Sequence, residues 1–220
     1  PVRHDRVLPA NGMRSSAPIL ETLANGVRLV ALPLPAATTA SVAVFVKSGS
    51  AHEPRALNGI SHVVEHMLFK GTATRDARRI NLDAERLGAE VNAHTDRDHT
   101  ALYMRGLPEH AGDFARMLAD LVAAPSFPAD ELERERQVLL QELAEDEEDP
   151  LSSAYKLFDA ACYGLHPAAL PVFVISRVAD DAMVTEVQTW SVRVSGWNAD
   201  IARAVAPLAE MLRLNGYSTA

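Results

Sequence analysis

The alternation of apolar and polar positions first indicates β-strands near the N-terminal end of the chain. Residues 21–34, ETLANGVRLVALPL, alternate around an Asn25-Gly26 pair, a dipeptide that favours a tight turn. Residues 40–49, ASVAVFVKSG, alternate in the same way and are rich in β-branched side chains. The pattern therefore predicts a hairpin or strand pair followed by a further strand.

Helical periodicity dominates most of the remaining pattern. Apolar positions recur at helical spacing and predict helices over 59–70, 75–87, 109–123, 129–147 and about 152–162. Gly71 and Gly88 follow the first two, as glycine often follows a helix C-terminus, and Pro150 ends the fourth. Two further alternating stretches, 89–95 and 99–107, predict antiparallel strands joined by a short turn. The order predicts an α+β fold, an antiparallel or mixed sheet with helices packed on one face.

Composition and charge narrow the function classes. The chain has 220 residues, of which 48% are hydrophobic and 23% charged, so it can bury a sizeable core. A net charge of −8 argues against a nucleic-acid-binding or anionic-membrane-binding surface. One cysteine excludes an internal disulfide, and no apolar run approaches the roughly 20 residues of a membrane span. The compartment stays unknown, because a soluble protein of the cytoplasm and one of the periplasm both fit.

Two histidines and a glutamate interrupt the apolar helix GISHVVEHMLFKGT, residues 59–72. His62 and His66 are four residues apart and lie on one helix face, with Glu65 beside them. Two imidazoles at this spacing can clamp Zn²⁺, and an adjacent carboxylate can take a proton from a water that the metal activates. The pattern H-x-x-E-H is the inverzincin signature. The alternative is a pair of core histidines with a buried glutamate, whose charge is costly to bury without a strong partner.

A tetrahedral catalytic zinc needs a third protein ligand and one open position. The long predicted helix offers Glu135 and Glu142, which are seven residues apart and lie on nearly one face. Taken alone, this acid-rich helix favours the plainer interpretation that both are surface residues.

Three blocks of sequence together resemble the pitrilysin/insulinase-type metallopeptidases, the group that includes the mitochondrial processing peptidase. GISHVVEHMLFKGT is similar to the zinc-binding segment of that family. LGAEVNAHTDRDHTALYMRGL, residues 87–107, resembles its paired strands beside the active site. FPADELERERQVLLQELAEDEEDP, residues 127–150, resembles its second, glutamate-bearing helix. The blocks stand in the family's order and extend the resemblance over about 20–167.

The resemblance implies a role for each motif residue. His62, His66 and Glu142 correspond to the zinc ligands, and one zinc per chain is expected. Glu65 corresponds to the general base. Glu135 corresponds to a family glutamate that supports the site electrostatically or from beside a ligand, so we expect it to contribute to catalysis.

The resemblance also implies where substrate binds. Asn92 and Ala93 correspond to an edge strand that is similar to those binding a substrate peptide by β-addition. Ordinary strand residues are an equally good interpretation of this pair. The family's peptidases enclose the peptide between two related halves or subunits, so a homo-oligomer or a related companion subunit is an expected partner.

Two other features of the sequence favour plainer interpretations. HTDRDH, residues 94–99, could suggest a second metal, but it falls on a predicted hairpin turn, where Asp is common for conformational reasons. Cys162 lies at a helix end with no feature that would lower its pKa, and a small buried residue is the expectation.

The resulting hypothesis is a zinc-dependent endopeptidase domain that hydrolyses peptides or unfolded segments. We predict an N-terminal extension over 1–19, the zinc metallopeptidase domain over 20–171, and a divergent segment over 172–220 that completes the same domain. The resemblance fades from about Val172, although 198–214 carry an amphipathic pattern. The rival hypothesis is a non-catalytic structural or regulatory subunit of a two-chain peptidase. A purely structural zinc would need a fourth protein ligand, and the motif offers none.

Overall fold

The structure is a computed structural model that describes residues 17–23 and 26–172. The chain divides into two compact units, Pro1–Thr38 and Thr39–Ala220. In the first unit, β1 (Ile19–Thr22) pairs antiparallel with β2 (Arg28–Ala31), which confirms the predicted hairpin. Gly26 has φ +84°, a left-handed conformation that costs glycine little.

The second unit contains a three-stranded antiparallel sheet. Its strands are β3 (Ala40–Val46), β4 (Glu90–Thr95) and β5 (Thr100–Gly106), in the spatial order β3-β5-β4. The β4–β5 pair is the predicted hairpin, with Thr95 opposite Thr100. In β3 the even-numbered positions are shielded from solvent and the odd-numbered positions are exposed. In β4 the odd-numbered positions are shielded and the even-numbered positions are exposed. The register aligns the shielded positions of all three strands on one face of the sheet.

Five α-helices accompany the strands among the described residues. They are α1 (Ile60–Leu68), α2 (Ala77–Arg86), α3 (Ala111–Ala123), α4 (Ala129–Glu148) and α5 (Pro150–Tyr163). The helices α1 and α3 contact the sheet, and α4 contacts both α1 and α5. The core between them is formed by large, fully buried side chains: Phe114, Met67, Ile80, Leu102, Met104, Leu118, Leu121, Leu139 and Val63. This arrangement confirms the predicted α+β class.

Helix starts differ from the predicted bounds because capping residues set them. Asp76 accepts a hydrogen bond from the Arg79 N–H, so α2 begins at Ala77, two residues later than predicted. Asp149 caps α5 through the N–H of Ser152, and Pro150 occupies the first position of that helix. Pro150 therefore ends one helix and begins the next.

The predicted domain boundaries at 19/20 and 171/172 stay predictions. Residues 1–16 and 173–220 lie outside the described part of the chain, and with them lie the amphipathic pattern over 198–214 and nearly all of the divergent segment. Within residues 17–23 and 26–172, no helix has the length and apolar composition that crossing a bilayer requires.

Candidate metal centre

The start of helix α1 is held by a buried carboxylate. Glu53 is 5% exposed and accepts hydrogen bonds from the N–H groups of Gly59 at 2.6 Å and Ser61 at 2.8 Å. The side chain of Asn58 donates a third hydrogen bond at 3.0 Å. A negative charge at this end of a helix satisfies free N–H groups and interacts favourably with the helix dipole. Glu53 thus fixes the first turn of the helix that carries both motif histidines.

The two faces of α1 have different partners. Val63 and Met67 have no exposed surface, and they anchor the helix in the core. His62 and His66 lie on another face, which turns toward α4. The chain therefore places the histidines on a rigid, well-packed helix, as a precise ligand site requires.

Three atoms that could bind a metal converge between α1 and α4. The Nε2 atoms of His62 and His66 lie 3.1 Å apart. Glu142 Oε2 lies 3.6 Å from the first of these atoms and 3.4 Å from the second. Since Zn–N and Zn–O bonds are about 2.0–2.2 Å, two ligand atoms of a tetrahedral zinc stand about 3.3–3.6 Å apart. The triangle formed by His62, His66 and Glu142 is therefore close in size to one face of that tetrahedron, with only the edge between the two histidines shorter.

Hydrogen bonding also fits the donor set to a cation. Glu142 Oε2 is buried, and no hydrogen-bond donor among the described residues reaches it with good geometry. A carboxylate accepts rather than donates, so His66 donates its Nδ1–H to Glu135 Oε2 at 3.0 Å. In the neutral imidazole the lone pair is then on Nε2, the atom that faces His62 and Glu142.

Burial favours the neutral, metal-binding form of His62. This residue is 6% exposed, and burial together with the nearby charge of His66 lowers its pKa to about 4. An imidazole must be unprotonated to bind a metal. The environment therefore keeps the His62 imidazole neutral at neutral pH, which is the form that a metal would bind.

Glu65 lies beside this triangle and has a different electrostatic environment. Burial raises the pKa of the Glu65 carboxyl, and the charge of Glu142 acts in the same direction. The Thr95 hydroxyl and the histidines His66 and His94 act against this shift. One oxygen, Oε2, is buried with no hydrogen-bond partner among the described residues. A carboxylate with a raised pKa and a free acceptor oxygen suits a general base.

Glu135 bridges His66 and a lysine that the sequence pattern did not single out. Its Oε1 lies 2.5 Å from Lys70 Nζ, and its Oε2 accepts the hydrogen bond from His66. Burial acts to raise the pKa of Glu135, but the hydrogen bonds from Lys70 and His66 outweigh it and hold that pKa below its usual range. The available signal for Lys70 was its position four residues after His66, which predicts neighbouring positions on a helix.

The predicted substrate-binding residues lie on β4, which is an edge strand of the sheet that the described residues form. Asp96 N–H donates to His99 O, so Asp96 and His99 are a hydrogen-bonded pair. Such pairs recur at every second residue along two antiparallel strands, and Asn92 and Tyr103 are therefore a hydrogen-bonded pair as well. Ala93 N–H then points away from β5, and the Asn92 side chain accepts its hydrogen bond at 2.8 Å. Ala93 is buried and Asn92 exposed. The predicted role of this pair in substrate binding is left untested by this placement.

Two plainer sequence interpretations can be compared with the structure. Asp96, Asp98 and His99 do come together, in an exposed turn between β4 and β5. Cys162 is exposed on the last turn of α5, so the expectation that it is buried was wrong. The helix end presents its side to solvent, where a small apolar residue is tolerated.

Comparison with known proteins identifies the family. The profile of the insulinase family, peptidase family M16, matches residues 28–174, which is more than half of the chain. The chain belongs to this family. The predicted resemblance is therefore confirmed.

Two curated relatives illustrate the similarity and its extent. An uncharacterised zinc protease of Bacillus subtilis is 38% identical over 151 residues, which cover 69% of this chain and 37% of the relative. A probable mitochondrial-processing peptidase subunit beta of Schizosaccharomyces pombe is 36% identical over 146 residues, 66% of this chain and 32% of the relative. The chain thus spans well under half of the length of these relatives.

A solved structure shares the fold. A crystal structure described as a peptidase M16 inactive domain, from Pseudomonas fluorescens, matches with a TM-score of 0.72 and 19% identity. The match covers 86% of this chain and 51% of that one. At this identity the likeness supports the α+β fold of an M16 domain.

Proposed function

We propose that this chain is the zinc-bearing domain of an M16 metalloendopeptidase that hydrolyses peptides or unfolded segments. The observation that carries the proposal is the triangle of His62, His66 and Glu142, whose edges of 3.1, 3.6 and 3.4 Å fit a tetrahedral zinc. Both curated relatives described above carry peptidase names, one of them as a zinc protease.

His62, His66 and Glu142 hold the metal in this proposal, and Glu65 is the general base. Bound zinc supplies a Lewis acid that polarises a carbonyl and lowers the pKa of water. Glu65 accepts a proton on its buried carboxylate and later delivers one to the leaving amine. The apolar surroundings that raise the pKa of Glu65 bring it closer to neutrality, where a general base is most effective. Glu135 keeps the His66 ring oriented through the Nδ1–H hydrogen bond.

The proposed substrate-binding strand is β4, at the edge that no other strand of the described residues occupies. β-Addition uses free N–H and C=O groups of an edge strand, and Ala93 N–H points to that side. A carbonyl group of a bound peptide strand would accept the hydrogen bond from this N–H in place of the Asn92 side chain. The helix α1 contacts β4, so a peptide at this edge would run beside the helix that carries the candidate ligands.

Activity of the whole peptidase is proposed to require a second half. The chain spans 37% of the Bacillus subtilis relative, and the fission-yeast relative is named as a subunit. A second copy or a related companion chain would supply the other side of the peptide site. The rival proposal is a non-catalytic subunit, which needs none of the four motif residues; their joint presence, converging geometry and pKa environment favour the enzyme.

Peptide cleavage with a Glu65→Gln control tests the proposed function. The zinc-loaded 220-residue chain, alone and mixed with a candidate companion subunit, is assayed on an internally quenched unfolded peptide. Glu65→Gln is expected to retain zinc and to lower the cleavage rate about 100- to 10,000-fold, because only the proton acceptor changes. Cleavage by Glu65→Gln at the wild-type rate, or stoichiometric zinc with no cleavage in any mixture, would favour the non-catalytic subunit instead.

A further inference from the structure

Lys70 connects the end of α1 to a carboxylate on α4. It lies four residues after His66, just beyond the last residue of the helix, Leu68. Its Nζ atom lies 2.5 Å from Glu135 Oε1, while Glu135 Oε2 accepts the Nδ1–H of His66 at 3.0 Å. A single carboxylate therefore joins an ammonium group to a candidate metal ligand.

The burial of Glu135 makes this connection necessary. Glu135 is 8% exposed, and a buried carboxylate is costly unless a cation and hydrogen bonds compensate its charge. Lys70 engages one oxygen, so the carboxylate plane cannot rotate without losing that contact. The other oxygen then stays directed at His66. The orientation of the His66 ring depends in turn on this second hydrogen bond.

We propose that Lys70 is a positioning residue for the zinc site. Through Glu135, it holds the His66 ring so that Nε2 faces His62 Nε2 and Glu142 Oε2. This inference deepens the proposed function and rests on it, because it assumes that the three residues bind zinc. It assigns Lys70 an effect on zinc affinity although Lys70 is not itself a ligand.

A simple tether between α1 and α4 is the alternative role for the same ion pair. A tether acts through the stability of the zinc-free fold, so its loss would weaken zinc binding only together with a loss of that stability. A positioning role acts through the orientation of the His66 ring, so its loss would weaken zinc binding without a matching loss of stability. The zinc-free unfolding free energy, measured beside the zinc affinity, separates the two roles, and a double-mutant cycle shows whether Lys70 acts through Glu135, because it measures whether the effects of two changes add.

Zinc affinity tests the inference without a need for peptidase activity. It is measured on the 220-residue chain by competition with a chromophoric chelator. Lys70→Met is expected to weaken zinc binding about tenfold or more, within the 10- to 100-fold range for partners of metal-ligating histidines. Lys70→Arg, which keeps the charge, is expected to restore most of the affinity. In a Glu135→Gln background, Lys70→Met is expected to change the affinity less than about twofold, because the group through which it acts is absent.

Lys156→Met is the matched control. Lys156 and Lys70 have similar side-chain exposure, 27% and 25%, and Lys156 also pairs with an acid of α4, Asp146. Its removal is expected to leave zinc affinity within about twofold of wild type, while the zinc-free unfolding free energy of every variant is recorded. Should Lys70→Met fail to fold, Lys70→Gln replaces it in the cycle.

The outcomes separate failure of the inference from failure of the proposed function. If wild type binds zinc and Lys70→Met binds it equally well, the inference is overturned and the zinc site stands. If Lys70→Met weakens zinc binding by the same factor in the wild-type and the Glu135→Gln backgrounds, Lys70 does not act through Glu135 and the inference is overturned. If the weakening is matched by a loss of zinc-free stability, or if Lys156→Met is as harmful, the ion pair is only a tether and the inference is overturned as well. If wild type binds no zinc, both proposals fail.

Discussion

Two groups of side chains in the described residues bring three possible ligand atoms within 4.8 Å of one another: His62, His66 and Glu142, and Asp96, Asp98 and His99. The first group is assembled from two helices and is buried or half-buried, whereas the second lies within four consecutive residues of a turn, with both aspartates exposed. Proximity alone therefore does not distinguish a metal site from an acidic turn.

The hydrogen-bond partners do distinguish them. In the buried group, His66 Nδ1 is bound by Glu135, which leaves its Nε2 directed at the other ligand atoms. In the turn, His99 Nδ1 bonds to Asp98 Oδ1 at 2.8 Å, and Asp96 Oδ1 accepts the N–H of Arg97. The turn uses its polar atoms to stabilise its own conformation, whereas in the buried group Glu135 holds the His66 ring so that the possible ligand atoms face one another. The difference identifies outer hydrogen bonds as the stronger sign of a metal site.

Removal of a proposed ligand is expected to give the largest effect. Glu142→Gln replaces the anionic ligand by a neutral amide and should weaken zinc binding at least about 100-fold, beyond the range for residues that only support a ligand. Chelator competition measures this directly. Zinc binding within tenfold of wild type would remove Glu142 from the ligand set.

The pH dependence of stability should reveal the buried imidazole of His62. The pKa of His62 is about 4 in the folded chain and about 6.5 in an exposed imidazole. Between pH 6.5 and 4, His62 is therefore more protonated in the unfolded chain than in the folded chain. The zinc-free fold therefore loses stability as the pH falls from 6.5 to 4, by up to about 3 kcal/mol from this residue. Urea unfolding of zinc-free wild type and His62→Leu at pH 7 and 4.5 measures the contribution. If the free energy of unfolding falls by the same amount between pH 7 and 4.5 in both proteins, the burial of a neutral His62 is contradicted.

Close backbone packing, rather than a metal, is expected to hold the turn between β4 and β5. Ala51 N–H donates to Arg97 O at 2.8 Å, and a Cβ placed on Gly49 would lie 2.2 Å from the Asp96 carbonyl oxygen. Gly49→Ala is expected to lower the free energy of unfolding by about 1–3 kcal/mol through overpacking, with or without zinc. Gly26→Ala is the comparison. Open space surrounds this turn glycine, so the added Cβ would strain only its left-handed backbone conformation and would overpack nothing. A fully stable Gly49→Ala protein would contradict the close approach.

The smallest effect is expected at the turn carboxylates. The double variant Asp96→Asn, Asp98→Asn should keep the zinc affinity and the zinc stoichiometry of wild type, because the proposed site does not include these residues. Loss of one bound zinc per chain in this variant would reverse the comparison between the two clusters.

Much of the fold and part of the site could be predicted from the sequence because their signals are local. Helical periodicity found all five described helices, and the spacing of His62 and His66 placed them on one face. The burial of Glu135, on which its role depends, has no local signal in the sequence, because it results from the packing of α4 against α1. The contact between Lys70 and Glu135 joins residues 65 positions apart, and no local pattern encodes it. The cap formed by Glu53 was missed for a similar reason, since its carboxylate bonds to N–H groups six and eight residues further on.

The central claim is tested most directly by the zinc stoichiometry of the 220-residue chain. Protein saturated with zinc, dialysed against buffer and analysed by atomic emission, is compared with Glu142→Gln and with the Asp96→Asn, Asp98→Asn variant. The expected result is one zinc per wild-type chain, one in the turn variant, and a marked loss in Glu142→Gln. Wild-type protein without stoichiometric zinc, or zinc that is lost with the turn carboxylates and kept without Glu142, would contradict the account.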